Sequence, residues 1–283
     1  MTTSTLPRDR VLDPRLPDGA SVKLIGLGGV GSIVARYGAL FLASLRGDAR
    51  LVLIDGDHFE PSNASRMLFG ATGNKAAVVR AELLPRFVQS TLELAAIEEY
   101  VTPENLGRLI REGDIVLLTV DNHATRKLVD AHCATLADVC LISGGNDGVE
   151  QDATGHRRRG TYGNVQVYLR CDGAEVTPSL TRLHPEIEHP ADRLPTDQSC
   201  TEQVASVPQV LFANLAVASA LLNTFWLYLC AALHYAELAF DIADGLSRPV
   251  LPIGQPQPPG LQMAFAEGHN GAPASPSSSG PYL

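Results

Sequence analysis

The apolar positions of this chain fall into a repeating rhythm over its first half. Short apolar runs, "SVKLIGLGG", "ARLVLIDGD", "TLELAAIEEYV", "DIVLLTVDN" and "VCLISGGND", alternate with stretches whose apolar residues recur every three or four positions. A short, nearly continuous apolar run marks a strand buried on both faces, and the three-to-four spacing marks an amphipathic helix. "SIVARYGALFLASL" carries Val34, Tyr37, Leu40, Phe41 and Leu45 at helical spacing. "NKAAVVRAELLPRF" and "HATRKLVDAHCATL" read as further helices, and "PENLGRLIREG" as a short one. Strands alternating with helices over residues 21–148 predict an α/β fold with a Rossmann-like, doubly wound, mainly parallel sheet. Its crevice is expected at the carboxyl ends of the strands. Gly26, Gly28, Gly29 and Gly31, then Asp55, Asp57, Asp121, Gly144 and Gly145, collect there.

The pattern changes after residue 150. "GNVQVYLRCDGAEV" alternates as an antiparallel strand entering an Asp-Gly turn. Residues from about 173 to 204 are rich in Pro, His and charge and read as an irregular crossover loop. A long uncharged helix follows, then "ELAFDIADG" as a late strand. The organisation expected is an extended arm over residues 1–20, one domain over 21–250 with a C-terminal antiparallel extension, and a disordered Pro/Gly/Ser-rich tail over 251–283. No charge occurs from Val210 to Leu233, a length sufficient to cross a bilayer. Asn214, Ser219, Asn223 and Thr224 interrupt it, however, and flanking basic anchors are missing. A helix buried in the protein or at a subunit interface is therefore expected, and no membrane partner.

Charge and cysteine usage narrow the field further. A net charge of −9 disfavours a nucleic-acid partner, which needs a basic face. The five cysteines include no C-x-x-C pair, so neither a disulfide framework nor a zinc site is expected. Cys133, Cys140, Cys171 and Cys230 lie in apolar stretches and are expected to be buried, whereas Cys200 sits among Asp197, Gln198, Ser199 and Thr201, just before the long helix. The first residues show no apolar core of signal-peptide type, and a cytoplasmic location is expected.

The glycines fit G-x-G-x-x-G in strand–turn–helix context, where backbone N–H groups approach an anion at a helix N-terminus. With Asp55 placed for ribose hydroxyls, this much suits a nicotinamide enzyme equally well. The following connection does not. Asp57, Asn63, Arg66 and Lys75 come within one stretch, and two cations aimed at phosphates serve a reaction that builds charge on the α-phosphate and on departing pyrophosphate. Asp121, ending a later strand, could then hold a Mg2+ ion bridging those phosphates.

Four blocks, "GLGGVGS", "LIDGDHFEPSNASR", "GNKA" and "LLTVDNHATR", stand in an order and spacing that resembles the ThiF/MoeB-type adenylyltransferases, relatives of the ubiquitin-activating enzymes. The resemblance is close over about residues 20–150 and loose beyond. It implies ATP and Mg2+ as cofactors and, as substrate, the C-terminal carboxylate of a ubiquitin-like protein ending in glycine. It implies that Asp55 holds ribose, that Asn63, Arg66 and Lys75 contact phosphates, and that Asp121, beside Asn122, coordinates magnesium. Gly26, Gly28, Gly29, Gly31, Asp57 and Asn122 complete the ATP-binding set that it implies. Cys200 takes the place of the activating enzymes' thioester-forming cysteine, with a conjugating enzyme as the next acceptor. A homodimer is implied too, in which Arg8, Arg10 or Arg15 of the arm reaches the partner's nucleotide. Many bacterial members carry two zinc-binding C-x-x-C pairs that are lacking here, which favours a stand-alone bacterial activating enzyme over the cofactor-sulfur pathways. Alternatives left open are adenylation without a thioester, on a sulfur carrier, a small carboxylate or a tRNA-linked substrate, and more remotely an NAD-dependent oxidoreductase.

Overall fold

The computed structural model describes residues 12–60, 63, 67–149, 158–197 and 209–252. Arg8, Arg10, Arg66, Cys200 and the stretch from residue 253 onward lie outside the described residues.

The chain opens with β1 (Val22–Ile25), α1 (Gly31–Ser44) and β2 (Ala49–Ile54). A hairpin of two-residue strands, β3 (His58–Phe59) and β4 (Gly73–Asn74), leads into α2 (Lys75–Leu83). Then come β5 (Leu92–Ile97), α3 (Leu106–Leu109), β6 (Ile115–Leu118), α4 (His123–Cys133) and β7 (Val139–Asn146). The helix expected over "NKAAVVRAELLPRF" stops at Leu83 and tightens into a 3-10 turn, Leu84–Arg86. Pro85 has no N–H to continue the α-helical ladder.

β1, β2, β5, β6 and β7 form the parallel part of the sheet, in the order β7-β6-β1-β2-β5. Successive strand residues point to opposite faces, which splits the core in two. Val22, Leu24, Leu51, Leu53 and Leu117 meet α1, α2 and the late helix α7 (Leu211–Leu229). Ile25, Val52, Ile54, Val116 and Leu118 meet α3 and α4 on the other side. Helices thus cover both faces, as a doubly wound sheet requires. The chain leaves β1 for β2 and β5, then returns to the other side of β1 as β6, so the strand order reverses between β1 and β6.

The antiparallel extension adds β8 (Tyr162–Cys171), β10 (Glu237–Asp241) and β11 (Leu246–Val250) beyond β7, with β9 (Ala174–Glu175) on the margin of β8. The expected Asp-Gly turn joins β8 to β9, with positive φ at both Asp172 (51°) and Gly173 (77°), the conformation a tight hairpin turn demands. Cys171 ends β8 at this turn and is exposed, against the expectation that it is buried; Cys133, Cys140 and Cys230 are buried. The described part of the crossover region is more ordered than an irregular loop, with short helices α5 (Leu180–Leu183) and α6 (Pro185–Glu188). Leu180 and Ile187 anchor them in the α4-side core.

α7 is long and apolar enough to span a membrane by length and composition, and it lies across β7 and β8 beside α1. Val217, Ala218, Leu221 and Phe225 are buried on its inner face, and Phe225 meets Phe41 of α1 edge-on. Leu211, Phe212 and Leu215 of its first turns are exposed, as are Tyr37 and Leu40 of α1.

Candidate active site

The crevice opens at the carboxyl ends of β1 and β6, where the strand order reverses, as the rule for such sheets predicts. Its floor is the glycine turn, which close backbone contacts hold in shape. Gly26 has φ +89°, and a Cβ there would lie 2.9 Å from the backbone nitrogen of Val120. A Cβ on Gly31 would overlap the carbonyl oxygen of Gly26, so the first turn of α1 folds back onto the strand end. Thr119 Oγ1 donates to that same carbonyl at 2.6 Å and locks it. A Cβ on Gly28 would meet only Met67 Cε among the described residues, at 3.9 Å. The N-terminal N–H groups of α1 therefore border the crevice, an arrangement suited to an anion.

The end of β2 supplies an acidic corner wired to this turn. One carboxylate oxygen of Asp55 accepts from the Leu27 N–H at 2.5 Å and the other from the Asp57 N–H at 2.8 Å. Burial raises the Asp55 pKa, against the pull of Lys75 and these two N–H groups. Two of the carboxylate's four acceptor positions remain for ribose hydroxyls. Asn74 ties the start of α2 to the corner. Its Oδ1 caps the helix by accepting from Ala76 N–H (2.9 Å) and Ala77 N–H (3.1 Å), while Nδ2 donates to the carbonyls of Asp55 (2.8 Å) and Asp57 (3.2 Å). Lys75, the next residue, is buried, and its ammonium pairs with the half-exposed carboxylate of Asp57. Tyr100 lies against Gly56 and hydrogen-bonds to Asp57; burial, then the Asp57 and Asp55 charges, push its phenol up to about 12.

At the end of β6, Asp121 is exposed and Asn122 caps α4, its Oδ1 accepting from Thr125 N–H at 2.8 Å. Asp192, from the crossover region, holds the same helix start, accepting from His123 N–H and Ala124 N–H at 2.8 Å each. Beneath them Arg126 is buried, with its guanidinium spread over Ser143 Oγ, the carbonyl of Val120 (2.6 Å) and the carbonyl of Gly144 (2.9 Å). Burial lowers its pKa to about 10, and Asp121 and Asp192 offset part of that. Arg126 thus fastens the ends of β6 and β7 together and leaves positive charge under the crevice floor.

The structure gathers the four glycines, Asp55, Asp57, Lys75, Asp121 and Asn122 around one crevice. The Asn63 side chain accepts from Glu60 N–H at 3.0 Å and shapes its own turn. Arg36 of α1 steadies the chain just after Arg66 by donating to the Leu68 carbonyl at 2.6 Å and to Glu82 at 2.7 Å. Arg15 is exposed, paired with Asp13 at 2.9 Å, and its N–H donates to Leu229 at the far end of α7, about 27 Å along the helix from its first turn. Asn74, Tyr100, Thr119, Arg126 and Asp192 were not singled out from the sequence. For Asn74 and Arg126 the signals were present, in an Asn before an apolar-periodic stretch and in an Arg inside a site-bearing block. Among the described residues no group of three His, Cys, Asp or Glu side chains could hold a metal ion. A divalent cation at Asp121 would therefore take most of its ligands from nucleotide phosphates and water, the usual habit of Mg2+, and would neutralise phosphate charge there.

Comparison with known proteins places this crevice in context. The family model described as "ThiF family" matches residues 18–238. The vegetative HesA protein of Trichormus variabilis is 27% identical over 169 residues, covering 59% of this chain and 56% of that protein. The sulfur carrier protein ThiS adenylyltransferase of Escherichia coli is 33% identical over 121 residues, covering 41% of this chain and 45% of that protein. The chain spans about half the length, or less, of the curated relatives it matches. Among solved structures, E. coli MccB with ATP superposes with a TM-score of 0.58 over 83% of this chain and 64% of that one; at 16% identity this bears on the fold alone. A family match running from before β1 into β10, over a crevice built from that family's blocks, leads to one conclusion: the chain belongs to the ThiF family, in the ThiF/MoeB-type adenylyltransferase superfamily.

Proposed function

We propose that the chain binds ATP with Mg2+ in this crevice and adenylates the C-terminal carboxylate of a ubiquitin-like protein ending in glycine. The observation that carries the reading is Lys75. It is a buried ammonium beside the glycine turn, held by a half-exposed carboxylate whose place a phosphate can take. Hydride transfer has little use for such a group, whereas nucleotidyl transfer, which builds charge on the phosphates, does. In the step proposed, a carboxylate oxygen attacks the α-phosphorus and forms a new O–P bond. The bond to the bridging oxygen breaks, and pyrophosphate leaves with the electron pair. Lys75 and Arg66 meet the growing phosphate charge, Asp55 holds ribose, and Asp121 holds Mg2+.

The Cys200 thiolate then attacks the acyl carbon, and a C–S bond forms as the C–O bond to AMP breaks and AMP leaves with the electron pair. A conjugating enzyme's thiol takes the acyl group in turn, releasing the Cys200 thiolate. The chain acts as a homodimer, to which the exposed apolar side chains Tyr37, Leu40, Phe212 and Leu215 offer interface area, and Arg8, Arg10 or Arg15 of the arm serves the partner's site. Free Cys133, Cys140 and Cys171 are in keeping with a reducing cytoplasm. A second reading, sulfur-carrier activation without a thioester, is favoured by the activity that the E. coli relative's name states. Mass spectrometry after incubating the chain with ATP-Mg and a ubiquitin-fold carrier ending in Gly-Gly separates the two. The first gives a thiol-sensitive adduct on the chain that Cys200→Ala abolishes; the second gives carrier adenylate alone. Neither product refutes both.

A further inference from the structure

The first turn of α7 carries a group that the reading above leaves unused. Asn214 has no solvent exposure, and neither its Nδ2 nor its Oδ1 has a hydrogen-bond partner among the described residues. A folded chain rarely keeps a buried, unpaired carboxamide without a reason. This one is aimed at the glycine turn. A Cβ on Gly29 would fall on Asn214 Nδ2, with Cγ 3.1 Å and Gln209 Oε1 3.3 Å from the same point. The turn thus approaches α7 so closely that any side chain at this position would have to push the Asn214 carboxamide aside.

The two helices meeting there are arranged alike. Gly38 faces Leu222 and Phe41 faces Phe225, so α1 and α7 run side by side in one direction, with both first turns at the glycine turn. Each helix N-terminus carries partial positive charge and unpaired N–H groups. Adenylation brings together two anions, a phosphate and a carboxylate, and needs a place for each. α1 provides for the phosphate. We infer that Asn214 Nδ2, with the first turn of α7, receives an oxygen of the acyl substrate's carboxylate beside that phosphate, an incoming oxygen displacing the half-buried Gln209 side chain. This inference rests on the adenylation reading and assigns to Asn214 the recognition of its second substrate.

Calorimetric titration of the full chain with three probes tests it: ATP-Mg, 5′-sulfamoyladenosine, and its glycylglycyl derivative, a stable acyl-adenylate mimic. Asn214→Leu keeps the branched shape at Cγ and removes both polar atoms; Asn214→Ala carries the same comparison if the leucine variant does not fold. The wild type is expected to favour the acylated probe. Asn214→Leu should remove about tenfold of that preference, ~1.4 kcal/mol, while ATP affinity stays within twofold. Its unliganded Tm should match or exceed the wild-type value, since no hydrogen bond is lost. An equal loss for all three probes makes Asn214 a packing element of the turn and overturns the inference. A wild type that binds ATP but shows no preference for the acyl group overturns it while leaving the ATP reading intact. Failure to bind any nucleotide overturns both.

Discussion

Asn74 is the residue through which helix α2 and the acidic corner are held in one geometry, so its removal should damage stability and the site together. The side chain is buried and makes four hydrogen bonds, two to helix N–H groups and two to strand-end carbonyls. Asn74→Ala loses an N-cap, about 1 kcal/mol. It also leaves the buried Ala76 N–H and the Asp55 carbonyl short of partners, while the Asp57 carbonyl keeps the Lys75 N–H, about 1–2 kcal/mol more. The total of about 2–3 kcal/mol should lower Tm by about 5–10 °C for a domain of this size. Asn74→Asp separates the two roles. An aspartate still caps the helix, but it puts an acceptor where a donor faced two carbonyls and adds a third carboxylate beside Asp55 and Asp57. Its Tm should fall between wild type and alanine, while its affinity for a fluorescent ATP analogue drops at least as far as that of the alanine variant, because Lys75 follows directly in the chain. Thermal unfolding by circular dichroism and analogue titration on the three proteins read both effects. A Tm for Asn74→Ala within about 1 °C of wild type, with unchanged analogue affinity, would refute the reasoning.

Four further variants have expected outcomes. Gly31→Ala forces a Cβ onto the Gly26 carbonyl oxygen, where no side chain can yield, and should cost about 2–3 kcal/mol in urea unfolding. Gly28→Ala meets only Met67 Cε among the described residues, at van der Waals distance, and should change stability by less than about 0.5 kcal/mol; equal effects would mean the turn is not held as described. Arg126→Lys cannot reach Ser143, Val120 and Gly144 with one nitrogen and should destabilise by about 2–3 kcal/mol; an unchanged urea midpoint would rule out the guanidinium as the anchor of the β6 and β7 ends. Burial alone lowers the His184 pKa, but its contacts with Glu237 (2.9 Å) and Glu186 (2.7 Å) outweigh this and raise it. The folded protein therefore binds the extra proton more tightly than the unfolded chain. The stabilisation is full below about pH 6.5 and fades as pH rises through the folded value. The stability difference between wild type and His184→Gln should shrink from pH 6 to pH 9, and a difference that grows would contradict the assignment.

The parallel half of the fold was legible because strands buried on both faces leave unbroken apolar runs, and because each is followed by a helix of matching period. β11 left no such trace. It is an edge strand of sequence LSRPV, exposed at Leu246 and interrupted by Pro249, which an edge tolerates and a pattern search does not detect. At the site, spacing alone located Gly26, Asp55, Lys75 and Asp121. Spacing could not show that Asp57 holds Lys75, or that Asp192 caps a helix 69 residues earlier in the chain. Those roles depend on contacts that the sheet order brings together. Asn214 read as a polar interruption in an apolar helix, and only its position against Gly29 gives it a purpose.

The reading of the crevice stands or falls on Lys75 and the nucleotide it meets. Displacement of a bound fluorescent ATP analogue by ATP-Mg and by NADH, on wild type and on Lys75→Gln, decides it. ATP-Mg should displace the analogue saturably, Lys75→Gln should weaken that at least tenfold with its Tm retained, and NADH should compete poorly. Displacement by NADH in preference to ATP-Mg, or a Lys75→Gln protein that binds ATP as tightly as wild type, would contradict it.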